Sequence, residues 1–282
     1  MTMAAALWHR IETVHAVTYF APECEQAFKD VGLRGFWMGY FAGRASPMGA
    51  VTAPVVTATF FNFKPSMVER AIPDAWTFAS PSDVLEVRSA AAGSVLRRAL
   101  PEVDDLASRS LPLLNRVIEA ATFEGRPLAA ANRAVDAGDD PVAALWQATT
   151  TLREHRGDGH VAVLTAAGLD GCQVHVLMAA YRQVPAERLQ KARGWTDEDW
   201  AVATDGLVER GWLHADGSLT EAGRTAREDI ERRTDELALP PFARLGDDAE
   251  RLADLLAPLR DAVLAADVIS FPNPIGLPRA QA

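Results

Sequence analysis

The sequence predicts a mainly α-helical protein made of two similar halves, with one small β-hairpin in the second half. Three observations carry this. Apolar residues recur at helical spacing along most of the 282 residues, punctuated by capping residues and prolines. From residue 160 to 237 the order is three helices, a hairpin and a helix. Short phrases also recur at an offset of 135 or 136 residues: Gly32-Leu33-Arg34-Gly35 against Gly168-Leu169-Asp170-Gly171, and Arg97-Arg98 against Arg232-Arg233. The expected division is 1–140 and 141–282.

In chain order, Leu7, Trp8, Ile11, Val14 and His15 give the first helix its spacing. Pro22 opens a second helix that Gly32 closes. The run FWMGYFAGR, ending at Arg44, is so aromatic that its helix must be buried on most sides. Ser46-Pro47 and Gly49 break it, and Pro54 opens a short helix through VVTATFFNF. Ser66–Ile72 is another short helix, ending before Pro73. Ser80-Pro81-Ser82-Asp83 combines a cap, a proline at the first position and an acid at the third; it starts a long helix toward Pro101. An amphipathic helix covers 102–122, and 123–140 is looser.

In the second half, Asp140 and Pro141 open a helix that Gly157 is expected to end. Asp158 then caps a short helix over His160–Ala167, closed by Gly168, and Asp170 caps the next. Pro185 and the Thr196/Asp199 capping box start two more. WLHADGSL has the form of a hairpin around Ala-Asp-Gly, and Thr220 caps a long helix beyond it. The proline-rich, apolar PNPIGLP is expected to pack back on the body.

Composition narrows the function classes. Apolar residues make up 49% and charged residues 23%, as in a soluble globular protein. The net charge of −10 disfavours nucleic acid as a default partner. Two cysteines, Cys24 and Cys172, support neither a disulfide framework nor a cysteine zinc site, and both read as core thiols. No signal-like segment or membrane-length apolar run is present, so the expectation is a cytoplasmic protein with no membrane partner. No dinucleotide fingerprint, P-loop, nucleophile elbow or zincin motif occurs, so no cofactor and no metal are expected.

The phrase LVERGWL…DGSLTEAGR resembles the MarR-like winged-helix proteins over roughly residues 160–237. Across the whole chain YFAPE, GYFAGRASPMG, FFNF, HRGDGHVAVLTAAGLDG and PNPIGLP resemble an actinobacterial family of tandem helix-turn-helix proteins. The resemblance implies two winged-helix-like halves, the first without a recognisable wing. It also implies a dimer through terminal helices, or a monomer in which the two halves form a pseudo-dimer. DNA is the usual partner of that fold, but the helix in the recognition position opens with Asp197, Glu198 and Asp199. Residues 187–236 carry 13 acids against 8 basic residues, and the HADGS wing has no Arg or Lys. Acids set against phosphate repel it, so the expectation is that DNA binding through this helix is lost.

Two groups of residues invite chemistry. His155, Arg156, Asp158 and His160 fit four readings: a capped joint between helices, a ligand anchor with Arg156 clamping a carboxylate or phosphate, His–Asp acid–base catalysis, or a metal site. Glycines at 157 and 159 speak against the metal, because helical ligands need a continuous helix. In the first half His15, Tyr19, Tyr40 and Arg44 lie among aromatics, with Phe61 close by in sequence. Arg44 ends so apolar a helix that it needs an acceptor, either a glutamate, helix carbonyls or a small anionic or aromatic ligand. His175 reads as a hydrogen-bonded core histidine; Asn62 and Asn132 fit no pattern. Together these suggest a small-molecule-binding protein with a pocket between its halves. A ligand-responsive DNA-binding regulator and a cofactor-independent His/Asp enzyme are the alternatives.

Overall fold

The computed structural model describes residues 3–279, of which the helices are α1 (Met3–Phe20), α2 (Pro22–Asp30), α3 (Gly35–Ala45), α4 (Ala53–Phe60), α5 (Pro65–Glu69), α6 (Ala75–Phe78), α7 (Pro81–Ala99) and α8 (Val103–Ala120). They continue as α9 (Pro127–Arg133), α10 (Pro141–Ala166), α11 (Gly171–Arg182), α12 (Ala186–Arg193), α13 (Asp197–Glu209), α14 (Glu221–Ala238), α15 (Pro240–Ala243) and α16 (Asp248–Ala265). Helix accounts for 72% of the chain, and no strand forms among the described residues. The protein is thus mainly helical, as its periodicity implies.

Side-chain caps set the starts of α7, α10, α11, α13 and α14. Ser80, Asp170 and Thr196 each form a reciprocal capping box, with Asp83, Gln173 and Asp199 respectively. Asp140 accepts from Val142 and Ala143, and Thr220 from Gly223. Such caps each contribute about 1 kcal/mol. The turns after α2 and α10 are closed in the same way. Gly32 and Gly168 sit at φ 96° and 65°, and the next amide reaches back five residues, Leu33 to Phe28 and Leu169 to Leu164.

Three apolar clusters hold the helices. The central one joins α1, α7, α8, α10 and α16 around Trp146, Ile11, Leu96, Leu114 and Leu252. A second packs α2–α7 around Phe41, Phe63 and Ile72. A third packs α11, α13 and α14 on the end of α10 around Leu177, Leu207 and Ile230. Helix α1 lies against α10 and α16, while α10 lies against α8. The tail after α16 turns back onto the body, burying Val268, Ile269 and Leu277.

Three expectations need correction. The predicted break at Gly157–Gly159 is absent: α10 runs unbroken for 26 residues. Asp158 caps nothing on its own helix; its carboxylate accepts from the Ala129 amide at 2.9 Å. Glycine at 159 provides clearance, since a Cβ there would lie 2.6 Å from Arg126 Nη1. Each helical glycine costs about 1 kcal/mol relative to alanine, and burial of α10 on nearly every side outweighs that. The second correction concerns α4, which stops at Phe60 because Phe61 adopts φ 54° instead of carrying the helix through Phe63. Lastly, the expected β-hairpin is a tight turn with one bridge between Leu213 and Leu219, too short to form a strand. The 123–140 segment also contains α9.

Among the described residues no single helix is long and apolar enough to cross a membrane; only α10 and α11 taken together, bent by 98°, reach that length and composition.

Candidate functional site

A cavity of about 380 Å³ opens between the first helices, the middle of α10, α11, α14 and the returning tail. Its floor is ionic. Arg44, in the last turn of α3, places Nη2 at 3.0 Å from both carboxylate oxygens of Glu154 and Nε at 3.3 Å from one of them. Its guanidinium lies 4.1 Å from the centre of the Phe60 ring, and Nη1 is 3.3 Å from the Tyr40 hydroxyl. Arg153 donates to Glu154 at 2.8 Å and to Glu12 at 3.3 Å. Two arginines and two glutamates therefore form a neutral knot under the cavity. Burial alone would raise the Glu154 carboxyl, but Arg153 and Arg44 hold it down to about 2. Glu12, bonded to Arg153 at the longer distance, is raised by its burial, with Arg153 and Arg156 opposing. The acceptor that Arg44 requires is thus a glutamate.

One side of the cavity belongs to α10 and α14. Arg156 stacks 4.5 Å from the Trp8 ring and donates to Glu231 at 2.9 Å and Asp235 at 2.8 Å. Arg227 shares Glu231 at 2.6 Å. His160 pairs its Nδ1 with the Thr234 hydroxyl at 2.9 Å. That hydroxyl spends its only proton on the Ile230 carbonyl, so it can only accept, and His160 must carry its proton on Nδ1. Burial lowers the His160 pKa to about 4, with Glu231 opposing. At neutral pH the ring is therefore uncharged, with its lone pair on Nε2, and His160 lines the cavity.

The structure does not bring His155, Asp158 and His160 together. His155 Nε2 donates to the Thr122 carbonyl at 3.0 Å, and its ring meets Phe123 edge-on. Its burial, with Arg126 adding to the effect, lowers its pKa to about 4. Asp158 is pushed up to about 6 by burial, against the Ala129 amide. Both side chains anchor the 122–129 segment on α10, outside the cavity lining. His15 and Tyr19 lie deeper, next to the knot: His15 bridges Thr150 at 2.9 Å and Tyr19 at 2.8 Å, with Trp146 stacked beside it. Arg88 is buried near them with no carboxylate, held by the Gly43 carbonyl and the amide oxygens of Asn132 and Gln147. Phe61 lines no part of the main cavity, but its neighbours Asn62 and Phe63 do. Among the described residues no three His, Cys, Asp or Glu side chains are grouped to hold a metal ion.

Sequence reasoning missed Glu12, Arg153, Glu154, Arg193, Arg227 and Glu231. Glu12 had a signal: it is an isolated acid on an otherwise apolar helix, which calls for a buried partner. Glu231 and Arg227 sit on a helix so charged that neither stands out.

Beside the cavity the segment after α4 meets the end of α12 and the start of α13 directly. Trp195 Nε1 donates to the Asn62 carbonyl at 3.2 Å, the Lys64 amide donates to the Arg193 carbonyl at 2.9 Å, and the Lys64 ammonium pairs with Asp199. The exposed face of α13 carries Asp197, Glu198, Asp205 and Glu209.

No curated protein and no solved structure matches the chain. A helix-turn-helix family model does, over residues 4–270. With a match of that extent, this chain belongs to the helix-turn-helix family.

Proposed function

We propose that the protein binds a small organic anion in the cavity between its halves, on a scaffold that no longer binds DNA. The observation that carries this is the cavity lining: six arginines, at 44, 153, 156, 182, 193 and 227, against three acids, Glu12, Glu231 and Asp235. Around that charge stand Trp8, Tyr40, Phe63 and Leu177, which suit an apolar or aromatic body. His160 adds an acceptor for a ligand hydroxyl or amide.

We read the halves as a winged-helix pseudo-dimer with its wing reduced to the 213–219 turn. Three features support this. The turns at Gly32 and Gly168 share one hydrogen-bond pattern, and α1 packs on α16 as α10 packs on α8. His15 also touches Thr150, its counterpart at the repeat offset, as expected on a local two-fold axis. This geometry speaks against DNA. Dimeric readers place their two recognition helices about 34 Å apart to reach successive major grooves. Here Trp195, just before α13, is bonded to Asn62 and Asp199, in its first turn, to Lys64, at the start of the corresponding segment of the first half. The acidic face of α13 adds repulsion.

Calorimetry against a panel of aromatic and aliphatic carboxylates and phosphates tests the pocket. Arg156→Gln and His160→Leu are expected to weaken a hit roughly tenfold, about 1.4 kcal/mol; unchanged affinity in both sinks the assignment. The family membership favours a second reading, a ligand-responsive DNA-binding regulator. It requires a gel shift with the promoter of its own gene at low salt, whereas the proposed function predicts none. The acid–base alternative narrows to His160, since His155 and Asp158 serve α9 and its preceding turn.

A further inference from the structure

Four of the six cavity arginines are committed to carboxylates: Arg44, Arg153, Arg156 and Arg227. The other two are not. Arg182 Nη1 donates to the Gly276 carbonyl at 2.6 Å, and Arg193 Nη2 donates to the Pro274 carbonyl at 2.9 Å. Arg193 is only 4% exposed, and its remaining bond is to the Ala192 carbonyl at 3.1 Å; its Nε has no partner. Beside it His175 is 1% exposed with neither ring nitrogen hydrogen-bonded. A buried guanidinium without a counter-charge, next to an unsatisfied imidazole, is costly in a folded chain. An oxyanion at that position supplies both missing partners.

What covers the position is the tail. Residues 272–278 cross the cavity mouth as a strap, held by arginines through backbone carbonyls and by His9, whose Nε2 is 3.0 Å from the Pro278 carbonyl. Arg188 adds a bond to the Pro272 carbonyl at 3.1 Å. The strap is folded on itself by Asn273, whose side chain accepts from the Leu277 amide at 3.0 Å and donates to its carbonyl at 2.9 Å. Its root, Val268 and Ile269, is buried in the central cluster, and Leu277 of the strap is buried in the same cluster with Ile275 packed against it. Lifting the strap therefore withdraws Leu277 and Ile275 from that cluster while Val268 and Ile269 keep its root anchored. Carbonyls are neutral acceptors, and charge-assisted bonds from arginine to an anion are roughly twice as strong.

Building on the anion-binding reading above, we propose that Arg182 and Arg193, with His175, form the subsite for the ligand's oxyanion, and that the 272–278 strap gates it by occupying these arginines with backbone carbonyls. The carboxylate or phosphate displaces Pro274 and Gly276, and the apolar body rests on Phe63 and Met178.

The probe is 8-anilinonaphthalene-1-sulfonate, an aromatic oxyanion, with uncharged N-phenyl-1-naphthylamine as its control, both titrated into the full chain by fluorescence. Arg182→Gln, at the exposed rim, and Arg193→Gln are each expected to weaken the sulfonate roughly tenfold or more and leave the uncharged probe unchanged. Asn273→Ala, which unclips the strap, is expected to tighten the sulfonate several-fold. Hydrogen exchange in 272–278 rises when the sulfonate binds. Benzoate and phenyl phosphate, as competitors, identify which oxyanion is preferred; failure of both to displace the probe overturns the subsite. Unchanged affinity in Arg182→Gln and Arg193→Gln, or slower exchange in the strap on binding, overturns the gate. If Arg156→Gln alone weakens the sulfonate, the cavity stands and the gate falls. If no anion binds at all, the cavity reading falls with it.

Discussion

Glu154→Gln tests the ionic knot most directly. The wild-type carboxylate is 2% exposed and accepts four bonds, three from Arg44 and one from Arg153. Glutamine keeps one acceptor oxygen and turns an NH2 group toward a guanidinium. The knot then holds two positive charges against Glu12 alone, in a site with little water. Removing one partner of a buried pair costs about 3–5 kcal/mol. For a chain of this size that is a fall in Tm of roughly 8–15 °C, to be read with the urea midpoint. Its pH dependence is also set. Glu154 is depressed to about 2 in the fold, below its unfolded value of about 4.3. Its contribution is complete above the unfolded value and is lost as pH falls through the folded one. The gap between wild type and variant should therefore hold constant from neutral pH down to about pH 5 and close only below about pH 4. The double variant Arg44→Met/Glu154→Leu, which removes charge in matched amounts, is expected to recover at least half of the loss. A loss below about 1 kcal/mol in Glu154→Gln would refute the claim that the knot is desolvated.

Three further outcomes follow from the geometry. Burial depresses His155 and His160 to about 4 and His175 to about 3, so these rings are neutral in the fold and charged in the unfolded chain below about pH 6.5; stability should fall as pH drops from about 6.5 toward 4, each ring contributing about 1.4 kcal/mol per pH unit, with raised Asp158 offsetting one of them. Chemical denaturation across that range checks this, and a flat profile contradicts it. Gly171→Ala places a Cβ 2.4 Å from the Phe61 carbonyl oxygen and Gly159→Ala one 2.6 Å from Arg126 Nη1; each should cost about 1–3 kcal/mol, Gly171→Ala the more because backbone cannot swing aside, and a neutral Gly171→Ala in thermal melts would deny the close contact of α11 with the Phe61 backbone. On the proposed reading, reversing Asp197, Glu198 and Asp205 to lysine should yield at most weak DNA binding that vanishes with salt, because the start of α13 remains bonded to Asn62 and Lys64; tight, sequence-selective binding in a gel shift would show that these segments separate.

The balance between what was legible and what was not follows from the range of the interactions. Capping boxes at Ser80, Asp170 and Thr196 were readable because a cap is settled within four residues. Gly157 and Gly159 misled for the opposite reason: locally they break a helix, and only Arg126, more than thirty residues away in sequence from Gly159, shows that one of them provides clearance. The hairpin at 213–219 kept its turn but formed one bridge, with Leu213 buried in the third cluster and Leu219 packed against it. Arg44 announced that it needed an acceptor, but not that Glu154, 110 residues on, would be it.

By itself, then, the sequence determined the helical class, most helix starts, the repeated turn at Gly32 and Gly168, and the acidic character of α13. These are properties of neighbours along the chain and of composition. Tertiary structure alone decided that α10 is one continuous helix, that His155 and Asp158 face away from His160, and that four arginines find carboxylates while Arg182 and Arg193 find only backbone carbonyls, those of the tail among them. Each of those facts depends on a charged or glycine position meeting a group from a distant segment. Pairing of buried charge is fixed by which helices pack together, and no local pattern encodes it.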